Sequence, residues 1–458
     1  MTTIWMTFMP RNRRDFWWLL LLALPALSCS LISPPQRPVI PTPPATVPLV
    51  LGEIPNLVTD PVGTVAPAAD PLITELINEV SAENLVAIVQ TLANFGTRQS
   101  LSETQAGDFG IGAARRWIHD ELVRVGAGRL QVRYDDFRLP YQGLVSEQRN
   151  VVAVLPGTAA NGGTYVFMAH YDSRTVDVAD GGSLAPGAND NASGVAALLE
   201  VARLMSSRPW NQTVVFVAFA AEEQGTHGSN HFVTQQMLDG MRIDAGINND
   251  IVGGRPGIPQ AIRVFATGDP LSETGQLARY MSTVSALYVP AFSLDIQYTL
   301  DREGRWSDHR EFVRAGIPAV RLTESVEDPT VQHTSADTPD RLDYTYLRQV
   351  AQLNLAVAAN LAGAPARPAP PVLARMADAG AYILTWTPDP LVAGYAISFR
   401  PLDAPGYGDF HLVNSVDAGN VALTGLDPTL TYGVSLAALD GAGRISLFSP
   451  EIIVGPNG

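Results

Sequence analysis

Two short apolar segments, separated by a stretch with helical spacing, set the tightest limit on the fold of this chain. Residues 165–169 and 213–220 are continuous runs rich in β-branched and aromatic residues, as is typical of strands buried on both faces of a sheet. Between them, residues 192–205 carry apolar side chains at helical spacing. Strand, helix and strand in this order predict a parallel crossover. The chain should therefore adopt an α/β fold with a mostly parallel central sheet flanked by helices.

Acidic and histidine side chains follow these apolar runs. A weaker third strand is predicted at residues 245–248, and a loop that begins at Gly187 leads into the predicted helix. Open α/β sheets bind ligands at the carboxyl ends of their strands, so we expect the polar residues at these points to meet. They are His170, Asp190, the pair Glu222–Glu223, Asp250 and, in a later motif, His333.

These residue types suit a pair of zinc ions. Zinc takes imidazole nitrogen and carboxylate oxygen ligands, and two neighbouring metals need a carboxylate between them. We assign the bridge to Asp190, so one zinc takes His170, Asp190 and Asp250. The other takes Asp190, Glu223 and His333. The prediction is two zinc ions per chain, each with three protein ligands and an open position, as in catalytic sites.

Two further carboxylates are predicted to act in catalysis. Glu222 precedes a ligand at a strand end and is the candidate general base for a metal-activated water. Asp172 lies two residues after His170, where its carboxylate can accept the second ring N–H of that histidine and fix its tautomer.

Five motifs in this order resemble those of the co-catalytic dizinc aminopeptidases, of the bacterial leucyl and aminopeptidase Y types. They read here as His170-Tyr171-Asp172, residues 187–194, Glu222–Glu223, residues 248–250 and His333-Thr334, and the resemblance runs from about residue 80 to about residue 362. It implies the zinc exopeptidase fold and removal of the first residue from peptides with a free N-terminus. Thr226 and His227 depart from the family pattern, which leaves the specificity open.

Each motif also has a structural interpretation. Asp190 can be a helix N-cap, and the Glu222–Glu223 pair can begin a solvated helix. The segment Ser307-Asp308-His309 is expected beside the site, not as a ligand. Three rival functions remain: a glutaminyl cyclase with one zinc, a carboxypeptidase using Arg302 or Arg305 to bind a terminal carboxylate, and a non-catalytic surface-binding protein.

The N-terminus resembles a bacterial export signal. Arginines precede a short apolar stretch that ends at Ala26-Leu27-Ser28-Cys29, a pattern similar to a lipobox. We predict a lipoprotein-type signal peptide at 1–29 and a proline-rich tether at 30–70. The protein would then be exported and anchored through lipid on Cys29, at the outer side of the cytoplasmic membrane or in the cell envelope. An ordinary signal peptide and an uncleaved anchor are the alternatives.

The C-terminal part has a different pattern. After the predicted peptidase domain at 71–362 and a proline-rich linker at 363–371, residues 372–458 alternate in short runs between turn signals. This predicts an all-β sandwich that resembles a fibronectin type III module, with Trp386 in its core and Tyr432 as a corner tyrosine. Its role is either a spacer or binding to a surface or polymer.

Composition excludes several partners and chemistries. The net charge is −15, which argues against nucleic acid. All 30 basic residues are arginine, so lysine Schiff-base chemistry is excluded. Cys29 is the single cysteine, which excludes an intrachain disulfide and thiolate ligands at the zinc ions.

Overall fold

The computed structural model describes residues 56–57, 64–299, 301 and 306–455. The predicted signal peptide with Cys29, most of the predicted tether, and Arg302 and Arg305 lie outside these residues. The eight α-helices of the described residues are α1 Pro71–Asn78, α2 Ala82–Asn94, α3 Gly110–Gly126, α4 Ser193–Met205, α5 His227–Leu238, α6 Glu273–Tyr288, α7 His309–Arg314 and α8 Tyr344–Gly363. None of the helices in this part of the chain combines the length and hydropathy required to cross a bilayer.

The strands form one large sheet and two small ones. They are β1 Asn56–Leu57, β2 Gln131–Tyr141, β3 Leu144–Leu155, β4 Thr164–His170, β5 Thr213–Phe219, β6 Ala245–Asn249, β7 Ala261–Phe265, β8 Ser293–Gln297, β9 Ala319–Glu324, β10 Val372–Arg375, β11 Tyr382–Thr385, β12 Gly394–Pro401, β13 His411–Asn414, β14 Asn420–Leu423, β15 Tyr432–Leu439 and β16 Ile452–Val454.

The large sheet has the order β2-β3-β5-β4-β6-β9-β7-β8. Its centre, β5-β4-β6-β9, is parallel, and β7 pairs in parallel with β8. The hairpin β2–β3 adds an antiparallel edge, and β7 pairs antiparallel with β9. The predicted fold class, a mostly parallel sheet flanked by helices, is therefore confirmed.

Both faces of the central strands are buried, which explains their unbroken apolar sequence. In β4, Tyr165 and Phe167 belong to the core that includes residues of α1–α4, α6 and α8. The alternate residue Met168 packs with Phe232 of α5 and Phe312 of α7 on the opposite face. Each fully buried side chain of this size stabilises the fold by roughly 1.5–3 kcal/mol relative to exposure.

A polar side chain caps the N-terminus of each of the first two helices. Asp70 accepts the backbone N–H of Leu72 at 2.9 Å and caps α1. Ser81 accepts the backbone N–H of Asn84 at 3.1 Å and caps α2. The predicted helix at 192–205 corresponds to α4.

The C-terminal region forms two small sheets that share a hydrophobic core, and all their strand pairs except β1–β14 are antiparallel. Their orders are β1-β14-β11-β10 and β13-β12-β15-β16, and β1, which the sequence assigns to the tether, pairs in parallel with β14. Trp386 packs edge-on against Tyr395 with ring centroids 5.3 Å apart. The hydroxyl of Tyr432 accepts the backbone N–H of Asp427 at 3.1 Å, five residues upstream.

This sandwich is packed firmly against the α/β region. Glu451 of the sandwich lies 3.1 Å from Arg279 of α6 and 2.9 Å from Arg400 of β12, and all three side chains are 1% exposed. The segment predicted as a linker takes part, because the Arg367 guanidinium donates to the carbonyl of Phe448 at 2.6 Å. The two regions therefore share a buried, charged interface within one compact unit.

Candidate metal centre

The central parallel strands bring three of the predicted ligands together at their carboxyl ends. His170 is the last residue of β4, Asp250 directly follows β6, and Glu223 follows β5 by four positions. Asp190 lies in the irregular turn that leads into α4, where the Asp190–Asn191 peptide is cis. His333, in the loop after β9, completes the set.

Asp190 stands between two groups of potential ligands. Its Oδ1 lies 3.3 Å from His170 Nε2, and its Oδ2 lies 3.1 Å from His333 Nε2. The first ligand group is His170, Asp190 and Asp250; the second ligand group is Asp190, Glu223 and His333. Within each group the candidate ligand atoms all lie within 4.8 Å of one another. The donor set of imidazoles and carboxylates fits zinc, with three protein donors in each group.

Burial concentrates negative charge at this centre. Burial, together with the neighbouring Asp190 carboxylate, raises the pKa of Glu223 to about 7. Burial alone would lower the pKa of His170, but Glu222 and the carboxylates around the ring raise it well above its ordinary value. Such crowding of carboxylates disfavours their common ionisation, and a divalent cation offsets it.

Asp172 holds the segment that carries Glu222 and Glu223. Its Oδ1 accepts the backbone N–H of Glu222 at 3.2 Å, and its Oδ2 accepts that of Glu223 at 3.1 Å. His170 Nδ1 lies 3.1 Å from the backbone oxygen of Asp172, whereas Oδ1 of the Asp172 carboxylate lies 3.5 Å away. The carboxylate that the sequence assigns to the histidine is thus engaged mainly by two amides.

Two buried residues that were not predicted from the sequence support the Asp190 turn. Asp337 accepts the backbone N–H groups of Asn189 and Asp190 at 2.8 and 2.9 Å. Arg98, fully buried, donates to the carbonyl of Tyr171 at 2.7 Å and to that of Gly187 at 2.8 Å. Arg98 therefore connects the segment after His170 to the loop before Asp190. The only sequence feature that could have indicated Asp337 is its position four residues after His333.

In each ligand group, the carboxylate that is not Asp190 is paired with an arginine. Arg321 Nε lies 3.0 Å from Asp250 Oδ2. Arg174 Nε donates to Glu223 Oε2 at 2.7 Å. No sequence pattern indicated either pair, because each joins residues far apart in the chain.

The ligand groups open into a cleft of about 170 Å³. Glu222 lines it, and burial raises the pKa of this carboxyl well above its ordinary value. Thr226 and Trp306 form part of the wall, and both contact Arg310, whose guanidinium lies 4.8 Å above the Trp306 ring. Thr226, one of the two departures from the family pattern, therefore lines the cleft.

Asp308 and His309 are buried close to the centre, as expected for this segment. Asp308 is 0% and His309 3% exposed. Burial raises the pKa of Asp308 to about 7 and lowers that of His309 to about 3, so His309 is neutral at physiological pH. Neither side chain belongs to a ligand group.

Comparison with known proteins agrees with this geometry. Residues 150–358 match the model of peptidase family M28. A probable zinc metalloprotease of Leptosphaeria maculans is 35% identical over 348 residues, which cover 67% of this chain and 80% of that protein. A probable zinc metalloprotease of Pyricularia oryzae is 33% identical over 442 residues, which cover 84% of this chain and 86% of that protein. The Legionella pneumophila LapA aminopeptidase structure superimposes with a TM-score of 0.52 at 22% identity, over 64% of this chain and 74% of that one.

The fold and the site together define a metallopeptidase with the zinc exopeptidase fold. The chain belongs to peptidase family M28. The two fungal relatives are named only as probable zinc metalloproteases. The family is therefore confirmed, whereas the bacterial aminopeptidase type remains a prediction.

Proposed function

We propose that the protein is an aminopeptidase that binds two zinc ions and removes the N-terminal residue of peptides. One observation carries the proposal: the two ligand groups share Asp190, and Glu222 lines the same cleft. The first ligand group would hold one zinc through His170 and Asp250, and the second would hold the other through Glu223 and His333. When bound, the zinc ions would supply Lewis acidity toward the scissile carbonyl and toward a water molecule.

Glu222 is the residue that moves the proton. Its backbone is fixed by Asp172, and its carboxyl lines the cleft. The raised pKa of Glu222 suits a group that accepts a proton from the attacking water and returns it to the leaving amine. Transfer back to the amine prevents a poor leaving group from departing as an amide anion.

The cleft chemistry favours the N-terminal end of a peptide. Carboxylates of Glu222 and Asp250 line it and would attract a positively charged α-ammonium group. Arg321 is paired with Asp250, so its charge is partly offset. A glutaminyl cyclase would need one zinc, whereas both ligand groups are complete here.

The test is mass spectrometry on one peptide supplied with a free and with an acetylated N-terminus. We expect loss of the first residue from the free form alone, abolished by a chelator and restored by zinc. Trimming from the other end would support a carboxypeptidase, cyclisation of an N-terminal glutamine a cyclase, and no reaction a binding protein.

We also propose the organisation predicted from sequence: signal peptide 1–29, tether 30–70, peptidase domain 71–362, linker 363–371 and a fibronectin type III-like module 372–458. The corner hydrogen bond of Tyr432 supports the last assignment. Export and lipid attachment at Cys29 are tested by mass spectrometry of the mature N-terminus. A diacylglycerol-modified Cys29 is the expected result, and an unmodified later residue would contradict it.

A further inference from the structure

Arg174 places a partly free guanidinium inside the catalytic cleft. Its Nε donates to Glu223, and its Nη1 approaches only the backbone oxygens of Thr175 and Val176, at 3.4 and 3.5 Å. Its Nη2 has no hydrogen-bond partner among the described residues. The side chain is 20% exposed and lines the cleft, so this N–H pair is available to a molecule bound there.

The cleft continues into a second space, which we call the outer groove. The outer groove holds about 480 Å³ and is bordered by residues of 175–184 and by His333–Ser335. His333 lines both spaces. Val176 and Leu184, in the groove wall, are 77% and 59% exposed, so the groove offers apolar contacts as well.

This arrangement fixes where the two halves of a substrate lie, given the proposed aminopeptidase function. An enzyme that removes one residue needs a confined space for that residue and an open route for the rest of the peptide. The cleft and the outer groove supply these two spaces. Arg174 stands at their junction, because its side chain is in the cleft and the next residues, Thr175 and Val176, border the groove. In a peptide that occupies both spaces, the residue directly after the scissile bond would lie next to this guanidinium.

We propose that Arg174 determines specificity by binding a carboxylate on the residue that follows the scissile bond. This inference rests on the proposed aminopeptidase function and adds a substrate class to it. The carboxylate has two possible sources: the C-terminus of a dipeptide, or an acidic side chain in a longer peptide. Arginine suits either, since charge-assisted hydrogen bonds to carboxylates are stronger than neutral ones. Glu223 occupies Nε and leaves Nη2 for the substrate.

The experiment compares kcat/KM for four substrates that share the same first residue. Leu-Ala and Leu-Ala-amide differ in the terminal carboxylate, while Leu-Asp-amide and Leu-Asn-amide differ in the side-chain carboxylate. We expect the carboxylate member of at least one pair to be favoured by about tenfold or more. The first pair reports recognition of dipeptides, and the second reports recognition of an acidic residue.

Arg174→Gln should bring that ratio to about one, and Arg174→Lys should retain part of it. The ratio is the readout because removing the partner of Glu223 can also change overall turnover and zinc content, and zinc per chain is measured alongside. Arg138→Gln, which changes an exposed arginine paired with Glu147 at 3.1 Å, is the matched control and should keep the wild-type ratio.

Two results would overturn the inference. Ratios near one for both pairs in the wild type would show that no carboxylate is recognised there. A preserved ratio in Arg174→Gln would assign the recognition to another residue. Failure to hydrolyse any of the four substrates would instead contradict the aminopeptidase function itself, and the inference with it.

Discussion

Asp337 accepts the backbone N–H of Asp190 at 2.9 Å, so the residue predicted to bridge two metals is itself held by a second carboxylate. The other oxygen of Asp337 accepts the N–H of Asn189 at 2.8 Å. Both oxygens are therefore used to orient one turn. Burial raises the pKa of Asp337 to about 6, and these two donors work against that rise.

Asp337→Asn should weaken zinc binding by roughly 10–100-fold, the usual effect of losing a group that orients a ligand. The substituted amide presents one acceptor and one donor group, so one of the two backbone N–H groups loses its partner. Competition with a chromophoric chelator measures the affinity. Asp340→Asn, at an exposed position three residues further on, is the control. Equal zinc affinity in wild type and Asp337→Asn would contradict the orienting role.

Glu324 gives a pH prediction. It is 0% exposed, its Oε2 accepts from Asn189 and Gly254, and its Oε1 has no partner. Burial raises its pKa to about 7 from 4.5. Between these values the folded chain binds more protons than the unfolded chain, so the free energy of unfolding falls as the pH rises. In the neutral variant Glu324→Gln, this fall in the free energy of unfolding with rising pH should be absent.

Urea unfolding of wild type and Glu324→Gln in the presence of chelator, at pH 4.5 and pH 8, measures this effect. We expect the stability of the variant relative to wild type to increase by up to about 3 kcal/mol between the two pH values. A difference in stability that is the same at both pH values would show that Glu324 is not protonated in the folded chain.

The buried ion pairs of Glu451 predict that the sandwich and the α/β region unfold together. Glu451→Gln leaves Arg279 and Arg400 without their shared counter-ion, which should cost about 3–5 kcal/mol. The expected result is one unfolding transition at lower denaturant, with loss of circular dichroism and release of zinc at the same midpoint. Asp403→Asn, in the exposed loop after β12, should leave the midpoint unchanged. A separate early transition for the sandwich would argue against a shared core.

The central part of the fold was predictable because its signals are local. The apolar runs at β4 and β5 are buried on both faces, so no polar alternation interrupts them, and three candidate ligands, His170, Glu223 and Asp250, lie at or within four residues of strand ends. The hairpin β2–β3 was not predicted. In β2 the alternation of buried and exposed residues shifts by one position at Asp135. The Asp135 side chain is buried and accepts a hydrogen bond from the Asn150 amide at 2.8 Å. A buried acid among apolar positions hides the period of a strand.

The supporting residues of the site could not be read from the sequence for a related reason. Arg98 contacts Tyr171 and Gly187 across 73 and 89 positions, and Arg321 meets Asp250 only because β6 and β9 are neighbours. Neither arginine lies in a recognisable motif. Asp172 was predicted to orient His170, whereas the closest contacts of its carboxylate are the amides of Glu222 and Glu223. Ligand types follow from local motifs, whereas their supports depend on tertiary packing.

The most direct test of the account is Glu222→Gln, with zinc per chain and the rate of first-residue release measured on the same sample. Glu222 belongs to neither ligand group, so the variant should retain two zinc ions. Its turnover should fall by about 10²–10⁴-fold, because the proton acceptor is gone. Turnover close to wild type with both zinc ions bound would contradict the assignment of Glu222 as the base, and with it the proposed chemistry of the cleft.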